Sequence, residues 1–355
     1  MRAAVFHDRE DVRVEEIARD DVGADEVRID LRAAGICGSD LHEYAAGPIF
    51  VPDETPHPVT GETAPIPMGH EFAGVVSEVG SEVETLTEGD PVAVNPVIWD
   101  GTCRYCDEGK YHLCVNGGFV GLSGGGGGFA EETVVPAVSA VPLPDGVPVE
   151  HGALVEPFTV GVHAVRRANV RAGDSVAVFG SGPIGQAVIQ ASWAAGAGEI
   201  YVSEPQEARA EMAVDSGADV VVDPTESDPV ERITSESDGG VDATFEVAGI
   251  ETTVNQSINA AKRNGQVTIV SIFEDEVSVH PNDVVLGERR ISGTLAYQGG
   301  PLSNVSFGRT IRMMETGRLD PELLVTSRID LDDIVEEGFE RLLGGSEEVK
   351  ILVEP

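Results

Sequence analysis

Lysine is nearly missing from this 355-residue chain: Lys110, Lys262 and Lys350 are the only three among 23 basic residues. Basic residues are themselves scarce against 62 acidic ones, and the net charge is −39. That deficit excludes the basic footprint that nucleic-acid binding needs. It also excludes the polybasic patch that holds a protein on anionic lipid. No apolar run reaches the ~18 residues of a spanning helix. The opening MRAAVFHDRE carries no signal-peptide core, so a cytoplasmic setting is expected. Cysteine is sparse too. Cys37 stands alone, while Cys103, Cys106 and Cys114 crowd together. Disulfide frameworks belong to small secreted domains, so metal binding or catalysis is the expected use.

What is present points to a folded enzyme-sized protein. Hydrophobic residues make up 41%, and the length suits about two domains at ~150 residues each. Acid is dispersed along the chain rather than gathered in a tail. That texture, with few lysines, reads as a protein of a high-salt cytoplasm, where ions screen self-repulsion.

The pattern changes near residue 150. Before it, 12–14, 27–31, 72–83 and 89–97 read as short strands. Residues 44–68 form an irregular loop, and the glycine run at 121–128 a tight loop within a folded domain. Residues 151–168 read as helical. Strands at 175–179, 199–202, 220–223, 243–247, 267–272 and 291–296 then alternate with helices at 182–196, 207–216 and 253–261. Such alternation predicts an α/β, doubly wound parallel sheet. The expected domains are 1–150, 151–297, and 298–355 returning to the first. The tail from 300 carries no motif.

Strand 175–179 runs into Gly180-Ser181-Gly182-Pro183-Ile184-Gly185 and then a helix, which is the context a dinucleotide loop requires. The three glycines allow a tight turn, approach of the pyrophosphate, and close helix–strand packing. The helix N-terminus then receives the phosphates, even in an acidic protein. Glu204, at the end of the next strand, is placed to accept the adenosine ribose hydroxyls and repel a 2′-phosphate. NAD is therefore expected over NADP, with Arg209 the residue that could meet such a phosphate.

Two clusters carry metal-binding residue types. Cys37 lies in GICGSDLH, and His70 and Glu71 in GHEFAG. Thiolate, imidazole and carboxylate are zinc ligands, and three protein ligands with an open position mark a catalytic site. The second cluster, Asp100, Cys103, Cys106 and Cys114, has the four ligands of a closed structural site.

GHEFAG, GICGSDLH and GSGPIG together resemble the zinc-containing medium-chain dehydrogenases, over essentially the whole chain. The 44–71 segment and Val155-Glu156-Pro157 resemble the butanediol branch of that family, a neighbour of the sorbitol and threonine dehydrogenases. The resemblance implies a Rossmann domain plus a GroES-like, partly open β-barrel. It implies a catalytic zinc on Cys37, His70 and either Glu71 or Glu156. Asp40 would orient His70, while Ser39 and His42 would carry the substrate proton outward. Thr159 would lie near the nicotinamide. A structural zinc is implied at Asp100, Cys103, Cys106 and Cys114, although the family usually has cysteine where Asp100 stands. A homodimer or homotetramer is implied, pairing through the late strand near 291–297. The expected reaction is hydride transfer between NAD and a vicinal diol or its hydroxyketone, 2,3-butanediol and acetoin first. Sorbitol, xylitol or threonine oxidation is the alternative, and an inert nucleotide- and zinc-binding protein the alternative of another class.

Overall fold

The structure is a computed structural model and describes all 355 residues. The chain divides into two compact units: Met1–Glu156 with Tyr297–Thr316 and Val325–Pro355, and Pro157–Ala296 with Gly317–Leu324. No helix is long and apolar enough to cross a membrane.

The first unit is built on antiparallel sheets. Asp11–Glu16, Arg2–Asp8 and Ile66–Pro67 form one of three strands. A larger sheet runs Ala140–Pro142, Pro91–Val94, Glu71–Val79, Glu26–Gly35, Lys350–Glu354, Val325–Asp330, with Glu132–Pro136 also pairing to Glu26–Gly35. One apolar core serves both sheets, joining Val5 and Phe6 of the first to Ile29, Phe72, Val92 and Ile351 of the second. Phe129 and Phe339 pack edge to face within it. The glycine run is part of this fold: Phe129 just beyond it is fully buried, and the Gly125 N–H donates to Glu62 at 2.9 Å.

Strand register sets the site. Gly35 pairs with Glu71, so Cys37, two residues past one strand, and His70, just before the other, emerge at the same end. Leu352 pairs antiparallel with Gly35, which brings Lys350 opposite residue 37.

The second unit is a six-stranded, all-parallel sheet. Its order is Val220–Val222, Glu199–Ser203, Ser175–Phe179, Val241–Glu246, Ala261–Ile269, Arg290–Gly293. Numbered along the chain this is 3-2-1-4-5-6, the doubly wound order expected, with a switch point between Ser175–Phe179 and Val241–Glu246. The strand expected at 267–272 instead begins at Ala261. The chain enters the unit through 3₁₀ helix Val149–Leu154 and α-helix Val155–Arg167. Tyr297, expected within the outer strand, lies past its end at Gly293 and belongs to the first unit.

Candidate functional site

Helix Gly38–Ala46 starts directly after Cys37, and its first turn is a capping box. The N–H of Cys37 donates to Asp40 Oδ2 at 2.9 Å, as a carboxylate three residues into a helix does. The same fully buried Asp40 lies 3.3 Å from His70 Nδ1 through its other oxygen. One short motif thus both starts a helix and sets a carboxylate beside an imidazole. His70 Nε2 is left facing Ser39 Oγ at 3.3 Å. His42 is on the same helix, half-buried.

The ligand atoms of Cys37, His70 and Glu71 lie within 4.8 Å of one another. Glu71 is fully buried and takes Lys350 Nζ at 2.7 Å. Lys350 is also buried and donates to the Ile36 carbonyl at 2.8 Å. Glu156 accepts from the Tyr297 hydroxyl at 2.5 Å. Burial, then the charge of Glu71, pushes the Glu156 carboxyl up to about 7. Burial pulls the Lys350 ammonium down, but Glu71 and then Cys37 more than restore it, and its pKa lies above the usual lysine value. His70 behaves alike: burial lowers it, Asp40 and Cys37 raise it, and the balance is well above an ordinary histidine. Thiol, imidazole and carboxylate donors that converge within 4.8 Å suit a divalent cation.

The second cluster is equally well formed. Cys103 Sγ lies 3.6 Å from Cys106 Sγ and 3.9 Å from Cys114 Sγ. Ligands ~2.3 Å from a tetrahedral zinc stand about 3.8 Å apart, so the spacing matches. Asp100 Oδ1 is 3.5 Å from Cys106 Sγ. Amides of Thr102 and Cys103 donate to that oxygen, and Asn116 Nδ2 donates to the other at 2.7 Å. The Thr102 amide and these other donors hold the Asp100 carboxyl far below the usual range. Burial pushes the Cys106 thiol up to about 12.

In the second unit the glycine loop lines a cavity of about 430 Å³ with Ser203, Glu204, Arg209 and Val247. Gly180 has φ +99°, a backbone only glycine adopts freely. A Cβ on Gly185 would fall 2.3 Å from the Gly180 carbonyl, whereas Gly182 faces open space. Pro183 begins the helix and Ile184 follows it. Glu204, at the end of its strand, accepts from the Ser181 amide at 2.7 Å and the Gln206 amide at 3.0 Å. Thr159 is buried in helix Val155–Arg167.

Sequence reasoning missed Lys350, Tyr297 and Asn116. Lys350 alone had a signal, as a lysine inside the apolar run Val349–Val353.

The comparisons with known proteins give the family. Residues 23–145 match the alcohol dehydrogenase GroES-like domain, and 183–314 the zinc-binding dehydrogenase domain. An (R,R)-butanediol dehydrogenase of Bacillus subtilis (strain 168) is 44% identical, covering 100% of both chains. The crystal structure of 2R,3R-butanediol dehydrogenase from Bacillus subtilis superposes with a TM-score of 0.93 at 44% identity, covering 100% of this chain and 99% of that one. A putative zinc-binding dehydrogenase from Sinorhizobium meliloti 1021, bound to NADP, gives 0.89 at 30% identity, over 100% and 99%. A likeness running the length of both chains, together with both sets of ligand atoms, supports one assignment: the chain belongs to the zinc-binding dehydrogenases, alcohol dehydrogenase-type enzymes that work with zinc and a nicotinamide cofactor.

Proposed function

We propose that this enzyme interconverts a short vicinal diol and its hydroxyketone, 2,3-butanediol and acetoin first, with NAD as hydride carrier. The observation that carries the reading is the 44% identity over the whole of both chains to an (R,R)-butanediol dehydrogenase. Met1–Glu156 with Tyr297–Thr316 and Val325–Pro355, where 1–150 and 298–355 were expected, are the catalytic domain, and Pro157–Ala296 with Gly317–Leu324, in place of 151–297, the cofactor domain.

Cys37, His70 and Glu71 or Glu156 would hold the zinc, which would supply Lewis acidity toward the substrate oxygen. Asp40 fixes the tautomer and plane of His70, as outer partners of ligating histidines do. Ser39 takes the substrate hydroxyl proton and His42 delivers it to water. With Glu71 as the ligand, Glu156, steadied by Tyr297, offers a polar partner to the second hydroxyl. A site built to hydrogen-bond a hydroxyl rejects analogues without it, because its own polar groups are left unpaired. Gly180, Gly182, Pro183, Ile184 and Gly185 receive the pyrophosphate, Glu204 the adenosine ribose, and Thr159 borders the nicotinamide, with Arg209 beside the ribose. Asp100, Cys103, Cys106 and Cys114 would hold a second, structural zinc.

The enzyme works in a saline cytoplasm as a homodimer or homotetramer. Support for assembly lies around the outer strand Arg290–Gly293, where Ile291 in the strand, Val285 and Leu286 before it and Leu295 after it are exposed.

A panel of 2,3-butanediol, 2-butanol, sorbitol, xylitol and threonine with NAD tests the reading through NADH absorbance. The highest kcat/KM should be with 2,3-butanediol. A higher value for sorbitol or threonine would sink the diol assignment. Equal rates with 2-butanol would show that the second hydroxyl goes unread.

A further inference from the structure

A polar side chain stands behind the nucleotide loop, in the core-facing row of helix Pro183–Ala195. Gln186 follows Gly185 and is fully buried. Its Nε2 donates to the Ser181 carbonyl at 3.0 Å and to the Arg209 carbonyl at 3.1 Å. Both amide hydrogens are thereby used. Its Oε1 is buried with no hydrogen-bond partner. A buried acceptor without a donor is unfavourable, so packing alone would be better served by leucine. The amide is explained by what it joins.

Ser181 is the hub of that connection. Its N–H and Oγ reach Glu204 Oε2 at 2.7 and 3.1 Å. The same Oγ reaches the Arg209 carbonyl at 3.2 Å. The Gln206 amide holds the other oxygen of Glu204. Ser181, Glu204, Gln206 and Arg209 all line the nucleotide cavity. Gln186 acts from behind that wall, tying the loop after the first strand to helix Glu207–Asp215.

We propose that Gln186 is a positioning residue for cofactor selectivity. By clamping Ser181 to Arg209 it fixes the Glu204 carboxylate where a ribose 2′-hydroxyl is accepted and a 2′-phosphate refused. This rests on the reading of Glu204 as the ribose-binding group. The clamp touches the cofactor only through other residues, so its loss alters binding and leaves the chemical step intact.

The same helix supplies a control one turn on. Gln190 is also buried, and donates to the Asp320 carbonyl at 3.1 Å while accepting the Asp320 amide at 2.7 Å. Its bonds lead away from the nucleotide cavity.

The test is calorimetric titration of the full-length enzyme with NAD and with NADP, for wild type, Gln186→Leu and Gln190→Leu, alongside kcat at saturating NAD. Loss of a hydrogen bond of ordinary strength predicts about five- to tenfold weaker NAD binding in Gln186→Leu. NADP binding should change less, so the preference narrows, and kcat should be unchanged. Gln190→Leu should keep the wild-type preference. If Gln186→Leu does not fold, Gln186→Met carries the same comparison, being unbranched and without N–H donors. An unchanged preference in the Gln186 variant overturns the clamp. So does an equal narrowing in Gln190→Leu, which would make the effect general loosening. If wild type itself binds NADP as tightly as NAD, the reading of Glu204 fails and takes the clamp with it.

Discussion

Lys350 Nζ lies 2.7 Å from Glu71 Oε2, with both side chains closed to solvent. Removing one member of such a pair leaves a buried charge uncompensated, while replacing both by apolar groups leaves none. Lys350→Met should therefore lower the unfolding free energy by about 3–5 kcal/mol. The double variant Glu71→Met with Lys350→Met should recover much of that loss. Urea unfolding of the three proteins measures it. A single variant as stable as the double would show that the pair is already solvated.

The Asp100 lobe makes a separate prediction about metal retention. Thiolate is the softer donor and the better zinc ligand, so Asp100→Cys should slow zinc release to a chelator. Asn116 holds Asp100 through Oδ2, and outer partners of metal ligands are typically worth ~10–100-fold in affinity. Asn116→Ala should weaken zinc retention in the native protein and do little in the Asp100→Cys background. An equal effect in both backgrounds would mean that Asn116 only stabilises the loop. Metal analysis of the same preparations gives the number of zincs per chain.

How far these features were legible follows from how far apart their parts lie in the chain. Cys37, Ser39, Asp40 and His42 occupy six consecutive residues, and Gly180 to Gly185 another six. Each stretch builds one turn or loop, so local spacing announced it. Tyr297 and Glu156 are 141 residues apart, and Lys350 and Glu71 are 279 apart. Only strand register and the return of the chain to the first unit join them. A lysine among Val349, Ile351, Leu352 and Val353 signalled a buried charge, but not its partner. Gln186 was hidden for another reason: helical periodicity marks its position as core without saying what a polar core residue holds.

Glu204 gives the prediction on cofactor choice. Its carboxylate already accepts three hydrogen bonds within 3.1 Å, two from Ser181 and one from Gln206. These fix it at the rim of the cavity as an acceptor and a fixed negative charge. Hydrogen bonds to charged groups are worth about 1.5–3 kcal/mol, so Glu204→Ser should lower kcat/KM with NAD by roughly ten- to a hundredfold. The value with NADP should rise, since Arg209 lines the same cavity and the repelling charge is gone. A native enzyme with the higher kcat/KM for NADP would refute the assignment.

Salt dependence follows from the charge balance. The few cations are shared between acids: Arg2 pairs with Glu131 at 3.0 Å and Asp332 at 2.9 Å, and Arg28 with Glu132 at 2.7 Å and Glu78 at 3.1 Å. Even complete pairing of 23 basic with 62 acidic residues leaves 39 negative charges. They repel more strongly in the compact fold than in the expanded chain, so folding is opposed until the repulsion is screened. The Debye length falls from ~10 Å at 0.1 M salt to ~3 Å at 1 M. Exposed ion pairs weaken over that range too, but each is worth little, ~0–1 kcal/mol at most sites. Net repulsion therefore decides the sign, and stability rises with salt. Each ~1 kcal/mol of relief lifts Tm by about 2–4 °C in domains of 150–250 residues, so a rise of about 5 °C or more is expected between 0.1 and 2 M KCl. A Tm indifferent to KCl over this range would show that the acidic surface is not an adaptation to salt.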